Sequence, residues 1–252
     1  MNASTHTERP RSDGIRHPRR LMMITLRPPV RAAVRRRLTV RVHGREHVPT
    51  AGPVIYAGNH MGIMDGPLLA IFAPQPVHAL TKVEMFTGRM GRFLRRAGQI
   101  PLDRFNPDPA AVKACLRVLR DGHAVGIFPE GQRGTGDLER FHRGAAYFAL
   151  VTGAPVVPVI FLGTREPGGH HDSVPVRGSV VDISFGAPIS IAPVAWPRSR
   201  DQVEQVSVQL REQLLALLEH AQAVTGQALP GPLPDDEVEP DPAGGVTERD
   251  VS

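Results

Sequence analysis

The chain has 252 residues, of which 41% are hydrophobic, enough for one sizeable core in one or two domains. Its single cysteine, Cys115, excludes an intrachain disulfide and a cysteine metal cluster, and fits a reducing compartment. No apolar run approaches the length of about 18 residues that crosses a bilayer, and the N-terminus lacks the apolar core of a signal peptide. We therefore expect a protein that is cytoplasmic or peripheral on a membrane.

The formal net charge of +5 is unevenly distributed, with a basic arm and an acidic tail around a mixed centre. Residues 1–37 hold ten arginines, no lysine and two acidic residues, whereas the chain from Asp235 onward holds seven acidic residues and one basic residue. The arm suits a polyanion, such as nucleic acid or an anionic membrane surface. Because it has no interleaved aromatic residues on which bases could stack, we expect no nucleic-acid partner.

The arm itself divides into two parts. Residues 1–20 are polar and are predicted to be disordered. In residues 21–37, Pro28 and Pro29 predict two short amphipathic pieces broken at the prolines, and their mixture of apolar residues and arginines suits a membrane interface. The alternative is a helix packed on the protein's own core, and both interpretations stay open.

From Leu38 the chain alternates between strand and helix patterns. Short apolar runs rich in β-branched residues predict six strands, which read LTVRVHG, PVIYA, VHALT, AVGIF, PVVPVIF and VVDISFG. Helical patterns cover about 65–72, 85–96, 109–120, 144–152 and 203–221. This alternation predicts an α/β domain over residues 38–225, with a largely parallel central sheet flanked by helices. Residues 226–252 are predicted to be a disordered acidic tail.

Two groups of residues with reactive side chains are interpreted as structural. Cys115 falls on the apolar stripe of the predicted helix 109–120, so we expect a core thiol and not a nucleophile. His170, His171 and Asp172 lie in a predicted surface loop. Since adjacent residues rarely point at one ion, we expect no metal site there.

The segment GNHMGIMD, residues 58–65, joins a predicted strand to a predicted helix. In a continuous helix His60 and Asp65 would lie roughly 140° apart and could not meet. A strand-to-helix turn, with glycines supplying backbone freedom, would let the Asp65 carboxylate orient the His60 imidazole. Alone this spacing is a weak signal, because many histidines only satisfy a hydrogen bond in the core.

Two further segments point to the same place. GQIPLDR ends at Arg104, and FPEGQRG, residues 128–134, directly follows the predicted strand AVGIF. Open α/β sheets collect ligands beyond the carboxyl ends of their strands, so these turns are expected to converge on one crevice. The residues expected to line it are His60, Asp65, Arg104, Glu130 and Arg133.

These segments give the chain a resemblance to the glycerolipid acyltransferases, specifically the 1-acylglycerol-3-phosphate acyltransferase family. GNHMGIMD carries the NHxxxxD pattern, KVEMF with GQIPLDR resembles the second block, FPEGQRG the third and GAPVVPVIFLGT the fourth. The four blocks stand in the family's order from Asn59 to Thr164 and leave out the arm and the tail. The resemblance implies transfer of an acyl group from acyl-CoA or acyl carrier protein to the free hydroxyl of a lysophospholipid, usually lysophosphatidic acid.

The resemblance also implies roles for individual residues. His60 would accept the proton of the attacking hydroxyl, and Asp65 would hold the histidine tautomer. No enzyme nucleophile, cofactor or metal is then needed, which accords with the absence of a convincing GxSxG motif. The expected substrate-binding residues, for phosphate or glycerol, are Arg104, Glu130, Gly131, Arg133 and Lys82.

The third block departs from the family pattern. Many relatives have Thr and Ser or Gly where this chain has Gln132 and Gly134, so a hydroxyl that could bind phosphate is missing. The missing hydroxyl affects the assignment of the acceptor more than the assignment of acyl transfer. The alternatives are therefore the same chemistry on another lysolipid, or a thioester or lipid hydrolase in which His60 activates water. In either case we expect a location on the inner face of the cell membrane.

Overall fold

A seven-stranded sheet forms the centre of the computed structural model, which describes residues 9–234, Glu237 and the backbone of residues 245–246. The strands in the described residues are β1 (Thr39–His43), β2 (Val54–Gly58), β3 (Val77–Lys82), β4 (Ile100–Leu102), β5 (Ala124–Ile127), β6 (Phe141–His142), β7 (Val156–Leu162), β8 (Val180–Phe185) and β9 (Gly245–Val246). β6 and β9 form a separate antiparallel pair. All six predicted strands are confirmed, and β4, β6 and β9 are additions.

Six α-helices surround the sheet in the described part of the chain. They are α1 (Leu21–Arg37), α2 (Asp65–Phe72), α3 (Gly88–Arg96), α4 (Pro109–Arg120), α5 (Gly144–Thr152) and α6 (Arg200–Thr225). Short 3₁₀ turns cover Arg45–His47 and Val83–Phe86. The helix boundaries follow local signals. Asp108 caps α4 by accepting from the Ala111 N–H at 2.9 Å, and Ser199 with Gln202 forms a capping box at α6.

The strand order is β1-β8-β7-β2-β5-β3-β4. β7 and β8 are antiparallel, whereas the other neighbouring pairs of this sheet are parallel. Five strands, from β7 to β4, therefore run in one direction, and their carboxyl ends lie at one edge of the sheet. The predicted α/β class, with a largely parallel sheet flanked by helices, is confirmed.

Apolar side chains on both faces of the sheet form the core. Residues alternate along β2, so that Ile55 packs with α4, α5 and α6, whereas Tyr56 packs with α2 on the opposite face. Cys115 belongs to the first cluster and is fully buried, and burial raises the pKa of its thiol. The prediction that Cys115 is a core residue is confirmed.

Residues 21–37 form one helix, so the predicted break at the prolines is wrong. Contacts with the end of α2 on both sides of the two prolines explain this difference. Arg27 donates to the carbonyl oxygen of Ala73, and Arg31 donates to that of Ile71 at 2.6 Å, so these arginines satisfy backbone groups at the end of α2. Tertiary contacts thus hold α1 together where its own hydrogen-bond ladder is interrupted.

The flanking segments also differ from their predicted disorder. Residues 9–20 contact the domain, because Arg120 donates to the Pro10 carbonyl at 2.9 Å and to the Ser12 hydroxyl at 2.7 Å. After α6, Leu229 packs against the core. The disorder predicted for residues 1–8, and for most of the chain after residue 234, lies outside the described residues.

Candidate active site

The turn between β2 and α2 is fixed first by Asn59, which is fully buried. Its side-chain oxygen accepts from the Phe161 N–H at 2.8 Å, and its amide group donates to the Phe161 carbonyl at 3.2 Å. The amide also donates to the Gly136 carbonyl at 3.4 Å. Asn59 therefore joins the end of β2 to the end of β7 and to the loop after β5, and it positions the histidine that follows.

His60 and Asp65 meet across this turn, as the sequence predicted. Asp65 is the first residue of α2 and is fully buried, and its Oδ2 accepts from His60 Nδ1 at 2.8 Å. The same oxygen accepts the backbone N–H groups of Met61 at 2.7 Å and Gly62 at 2.9 Å. Three donors on one oxygen hold the carboxylate against the imidazole, and two of them belong to the turn itself.

The His60 ring is oriented on its other side by an aromatic contact. It stacks on Phe128, with ring centroids 4.2 Å apart and an interplanar angle of 22°. Because Nδ1 donates to Asp65, the neutral ring has its lone pair on Nε2. The His60 side chain is 20% exposed, so this geometry suits a base that accepts a proton from a bound hydroxyl.

The FPEGQRG turn holds the backbone of His60 from both directions. The Oε1 atom of Glu130 accepts from the His60 N–H at 2.8 Å, and the Gly134 N–H donates to the His60 carbonyl at 2.9 Å. Glu130 is buried, and burial raises the pKa of its carboxyl well above the usual range. Its carboxyl thus contacts the turn that contains His60, and a contact between Glu130 and substrate stays a prediction.

The candidate phosphate-binding residues lie on loops at the same edge of the sheet. Lys82 ends β3, Arg104 follows β4, and Arg133 belongs to the turn after β5. Arg104 donates to the Gly131 carbonyl at 3.0 Å and lies 5.4 Å from the ring of Phe105. Arg133 donates to the His171 carbonyl at 3.0 Å. The structure therefore brings Arg104 to the turn that holds His60, as expected. Phosphate binding by Lys82, Arg104 and Arg133 stays a prediction.

Arg165 is a site residue that the sequence interpretation missed. It directly follows the fourth block and is only 2% exposed. Its hydrogen bonds go to the carbonyl oxygens of Met61 (3.1 Å), Gly169 (3.0 Å), Gly134 (3.0 Å) and Gly231 (2.6 Å). Burial lowers the pKa of Arg165, and the charge of Asp65 acts in the opposite direction. Arg165 thus joins the His60 turn to the FPEGQRG turn and to the segment after α6.

The loop that contains His170 and His171 binds a carboxylate. Glu237 accepts from both histidine rings and, at 2.7 Å, from the His171 N–H. These contacts lower the pKa of Glu237 to about 2, against the effect of desolvation. Within the described residues, no three histidine, cysteine or acidic side chains are arranged to hold a metal ion.

A family model, curated proteins and a solved structure match this chain. The family model for an acyltransferase domain matches residues 39–162, which include His60, Asp65 and Glu130. A 1-acyl-sn-glycerol-3-phosphate acyltransferase from Bacillus subtilis (strain 168) is 34% identical over 126 residues. This match covers 49% of the present chain and 63% of the relative. A chloroplastic protein of the same name from Brassica napus is 32% identical and covers 56% and 46% of the two chains.

A solved structure supports the fold. The crystal structure of the 1-acyl-sn-glycerophosphate acyltransferase PlsC from Thermotoga maritima superimposes with a TM-score of 0.54 at 24% identity. The superposition covers 77% of this chain and 80% of that one. The mostly parallel sheet and the His–Asp turn at its carboxyl edge thus define an acyltransferase domain.

The order of the four blocks and the names of the curated relatives give the finer assignment. By both, the chain is similar to the 1-acylglycerol-3-phosphate acyltransferases. It spans about half to two thirds of the length of the curated relatives described above.

Proposed function

We propose that the chain is an O-acyltransferase that moves a fatty acyl group from an acyl thioester to the free hydroxyl of 1-acyl-glycerol-3-phosphate. The donor would be acyl-CoA or acyl carrier protein, and the product would be phosphatidic acid for phospholipid synthesis. The observation that carries this proposal is the contact of His60 Nδ1 with Asp65 at 2.8 Å, which leaves Nε2 as the basic nitrogen of a partly exposed ring.

The reaction follows from the chemistry of this pair. An alcohol is a poor nucleophile at neutral pH, so His60 Nε2 accepts its proton as the oxygen attacks the thioester carbonyl. The tetrahedral intermediate then collapses, the carbon–sulfur bond breaks, and the imidazolium gives its proton to the leaving thiolate, which restores the neutral His60. Asp65 stabilises the imidazolium while it exists. General base catalysis of this kind contributes typically about 10² to 10⁴ in rate.

Arg104, Arg133 and Lys82 would bind the phosphate of the acceptor. The observed bonds to backbone carbonyls hold the guanidinium groups of Arg104 and Arg133 at the edge of the sheet, and guanidinium groups bind phosphate through paired, charge-assisted hydrogen bonds. These carbonyl contacts also limit the motion of the two side chains. Gln132 and Gly134 supply no hydroxyl group. We therefore propose that recognition of the phosphate depends on the cationic side chains.

We further propose that residues 1–37 are a membrane-surface arm and that the protein is peripheral on the inner face of the cell membrane. Among the residues that the structure describes, no helix is long and apolar enough to cross a membrane. One side of α1 packs on α2 through Arg27 and Arg31. The first turn of α1 exposes Leu21 and Ile24, which suits binding at an anionic lipid surface.

An assay of products tests this function. Pure protein is incubated with labelled acyl-CoA and with lysophosphatidic acid, another lysolipid or no acceptor, and the products are separated. We expect labelled phosphatidic acid with the first acceptor and little free acid. Release of free acid at one rate in every mixture would identify a hydrolase. A preference for another lysolipid would keep the chemistry and change the acceptor.

A further inference from the structure

Exposed apolar side chains are concentrated in two stretches of the chain. Among the described residues thirteen large hydrophobic side chains are exposed, of which four lie on α1 and four between residues 83 and 105. The second group comprises Val83, Met90, Phe93 and Phe105. Single exposed apolar residues are normal on protein surfaces, whereas clusters of them mark interaction sites.

The outward face of α3 carries the two most exposed members of this second group. Met90 is 53% exposed and Phe93 is 52% exposed, and residues three apart are neighbours on a helix. Gly91 faces inward, because a Cβ added there would overlap with the backbone of Phe86. This close approach fixes the rotation of α3, so Met90 and Phe93 are held toward solvent.

The charges on α3 itself have one sign. α3 contains Arg89, Arg92, Arg95 and Arg96 and no acidic residue. A short basic helix with an exposed apolar pair matches the surface of an anionic bilayer, where arginines meet lipid phosphates and the apolar side chains enter the acyl region.

α3 lies beside the candidate crevice. It connects β3, which ends at Lys82, to β4, which leads to Arg104. Val83 and Phe105 are exposed next to these two residues, and the ring of Phe105 is 5.4 Å from the Arg104 guanidinium. The apolar surface therefore continues to the residues that would bind the acceptor's phosphate.

The carboxyl end of α3 also adjoins the amino end of α1. Gln99 donates to the sulfur of Met23 at 3.8 Å, and a Cβ added at Gly98 would overlap with the carbonyl oxygen of Arg19. Leu21, which is 74% exposed, and Ile24 lie on α1 next to Met23. Two basic elements with exposed apolar residues thus meet on the surface of the domain.

We infer that α3 is a second membrane-contact element, in which Met90 and Phe93 insert into an anionic bilayer and its arginines bind lipid headgroups. The purpose of this membrane contact rests on the proposed function at the membrane surface. Lipid binding itself can be measured without any acyl transfer. With α1, α3 holds the crevice against the surface that contains the acceptor.

Vesicle binding of the full-length protein tests this inference. The variant Met90→Ser/Phe93→Ser removes apolar surface without changing charge, and Val224→Ser is the matched control, since Val224 is 61% exposed at the end of α6. Cosedimentation is measured with vesicles of equal parts phosphatidylglycerol and phosphatidylcholine, in the absence of an acyl donor. We expect roughly tenfold weaker binding for the double variant, and unchanged binding for the control.

A second variant addresses the charges and remains informative if the first does not fold. Arg89→Gln/Arg92→Gln is expected to weaken binding to the anionic vesicles and to leave binding to pure phosphatidylcholine vesicles unchanged. Wild-type binding by both double variants would overturn the inference. A changed oligomeric state with unchanged vesicle binding would also overturn it, and would identify a surface between copies of the chain. Acyl transfer to a short, water-soluble acceptor is measured in parallel, and its absence from the wild type would count against the proposed function alone.

Discussion

In the part of the chain that the structure describes, two buried aspartates each bind a histidine, one in the candidate site and one at the far end of the sheet. Asp65 contacts His60 at 2.8 Å, and Asp182 on β8 contacts His43 on β1 at 2.7 Å. Both carboxylates are fully buried. The distance between the two side chains therefore does not distinguish a catalytic pair from a structural one.

The surroundings of the two pairs make the difference. Asp182 also binds Arg41 through both carboxylate oxygens, at 2.9 and 2.7 Å. Burial acts against ionisation of Asp182, but the bonds from Arg41 and His43 outweigh it and lower its pKa. An arginine thus compensates this carboxylate, whereas Asp65 receives backbone N–H groups and the imidazole. The Asp65 pair can therefore place a new positive charge on its histidine beside a carboxylate that is not hydrogen-bonded to an arginine in the described residues, and the charge of Arg165 acts on Asp65 only without such a bond.

Removal of the two histidines should give the largest contrast. We expect His60→Ala to lower turnover by at least about 10²-fold, because the proton acceptor is lost. His43→Ala should leave turnover unchanged, since this histidine lies on β1, away from the carboxyl edge that holds His60. Steady-state acyl transfer is the measurement, with thermal unfolding to show that both variants fold. Near wild-type turnover by His60→Ala would refute the mechanism.

Replacing the aspartates should separate catalysis from stability. In Asp65→Asn an amide oxygen can accept the same N–H groups but carries no charge to stabilise the imidazolium, so we expect turnover to fall roughly 10²-fold. Asp182→Asn should lower the melting temperature and spare turnover, because it leaves Arg41 without its partner. Equal turnover losses in the two variants would show that the two pairs do not differ in function.

Arginines next to the two pairs should also differ. Arg104→Ala or Arg133→Ala should raise the Michaelis constant for the acceptor more than that for the donor. The difference should correspond to a free energy of about 1.5–3 kcal/mol, the contribution of one charged hydrogen bond. Arg41→Ala is the control, since its guanidinium binds Asp182, and it should alter neither constant. Equal effects of Arg133→Ala on acceptor and donor would count against phosphate recognition.

The smallest effect concerns the pH dependence of stability near the two sites. Burial raises the pKa of Glu130 in the folded chain above the unfolded value near 4.5, so its contribution is full below that pH and is lost as pH rises through the folded pKa. Asp182 has the opposite sign, because its pKa is lowered, and its contribution is lost as pH falls. Glu130→Gln should remove a slope of at most about 1.4 kcal/mol per pH unit above pH 4.5.

Denaturant unfolding at several pH values measures this slope. Asp182→Asn is the matched comparison and should flatten the acid side of the stability profile instead. Parallel profiles of stability against pH for the wild type and Glu130→Gln above pH 4.5 would contradict this expectation. They would mean that ionisation of the buried Glu130 does not lower the stability of the folded chain.

Several elements could be predicted from sequence because their signals are local. The bounds of α2, α4 and α5 agree with the apolar periodicity, and Asp108, Pro109 and Gly153 mark helix ends through a side-chain cap, a fixed φ and a left-handed backbone at φ 67°. The predicted helix 85–96 is only partly correct. A 3₁₀ turn ends at Phe86 and α3 begins at Gly88, because Gly91 packs directly on the Phe86 backbone.

The residues of the candidate site likewise divide into those with a local sequence signal and those without one. A glycine-rich turn between a strand and a helix indicated that His60 and Asp65 meet, since both residues belong to one short segment. Arg165 had no comparable signal, because it is one of 28 arginines and its partners Met61 and Gly134 lie far away in the chain. The helix through Pro28 and Pro29 was likewise unpredictable, since the contacts that hold it are on α2.

The sequence by itself therefore determined the α/β class, the order of the blocks and the His60–Asp65 turn, because periodicity, caps and short motifs act over a few residues. Only the tertiary structure decided that Glu130 and Gly134 hold the backbone of His60, and that Arg165 joins the turns around it. It also decided which of two similar His–Asp pairs has an arginine hydrogen-bonded to its carboxylate. These contacts join residues 31 to 141 positions apart, and such pairs become neighbours only when the sheet assembles.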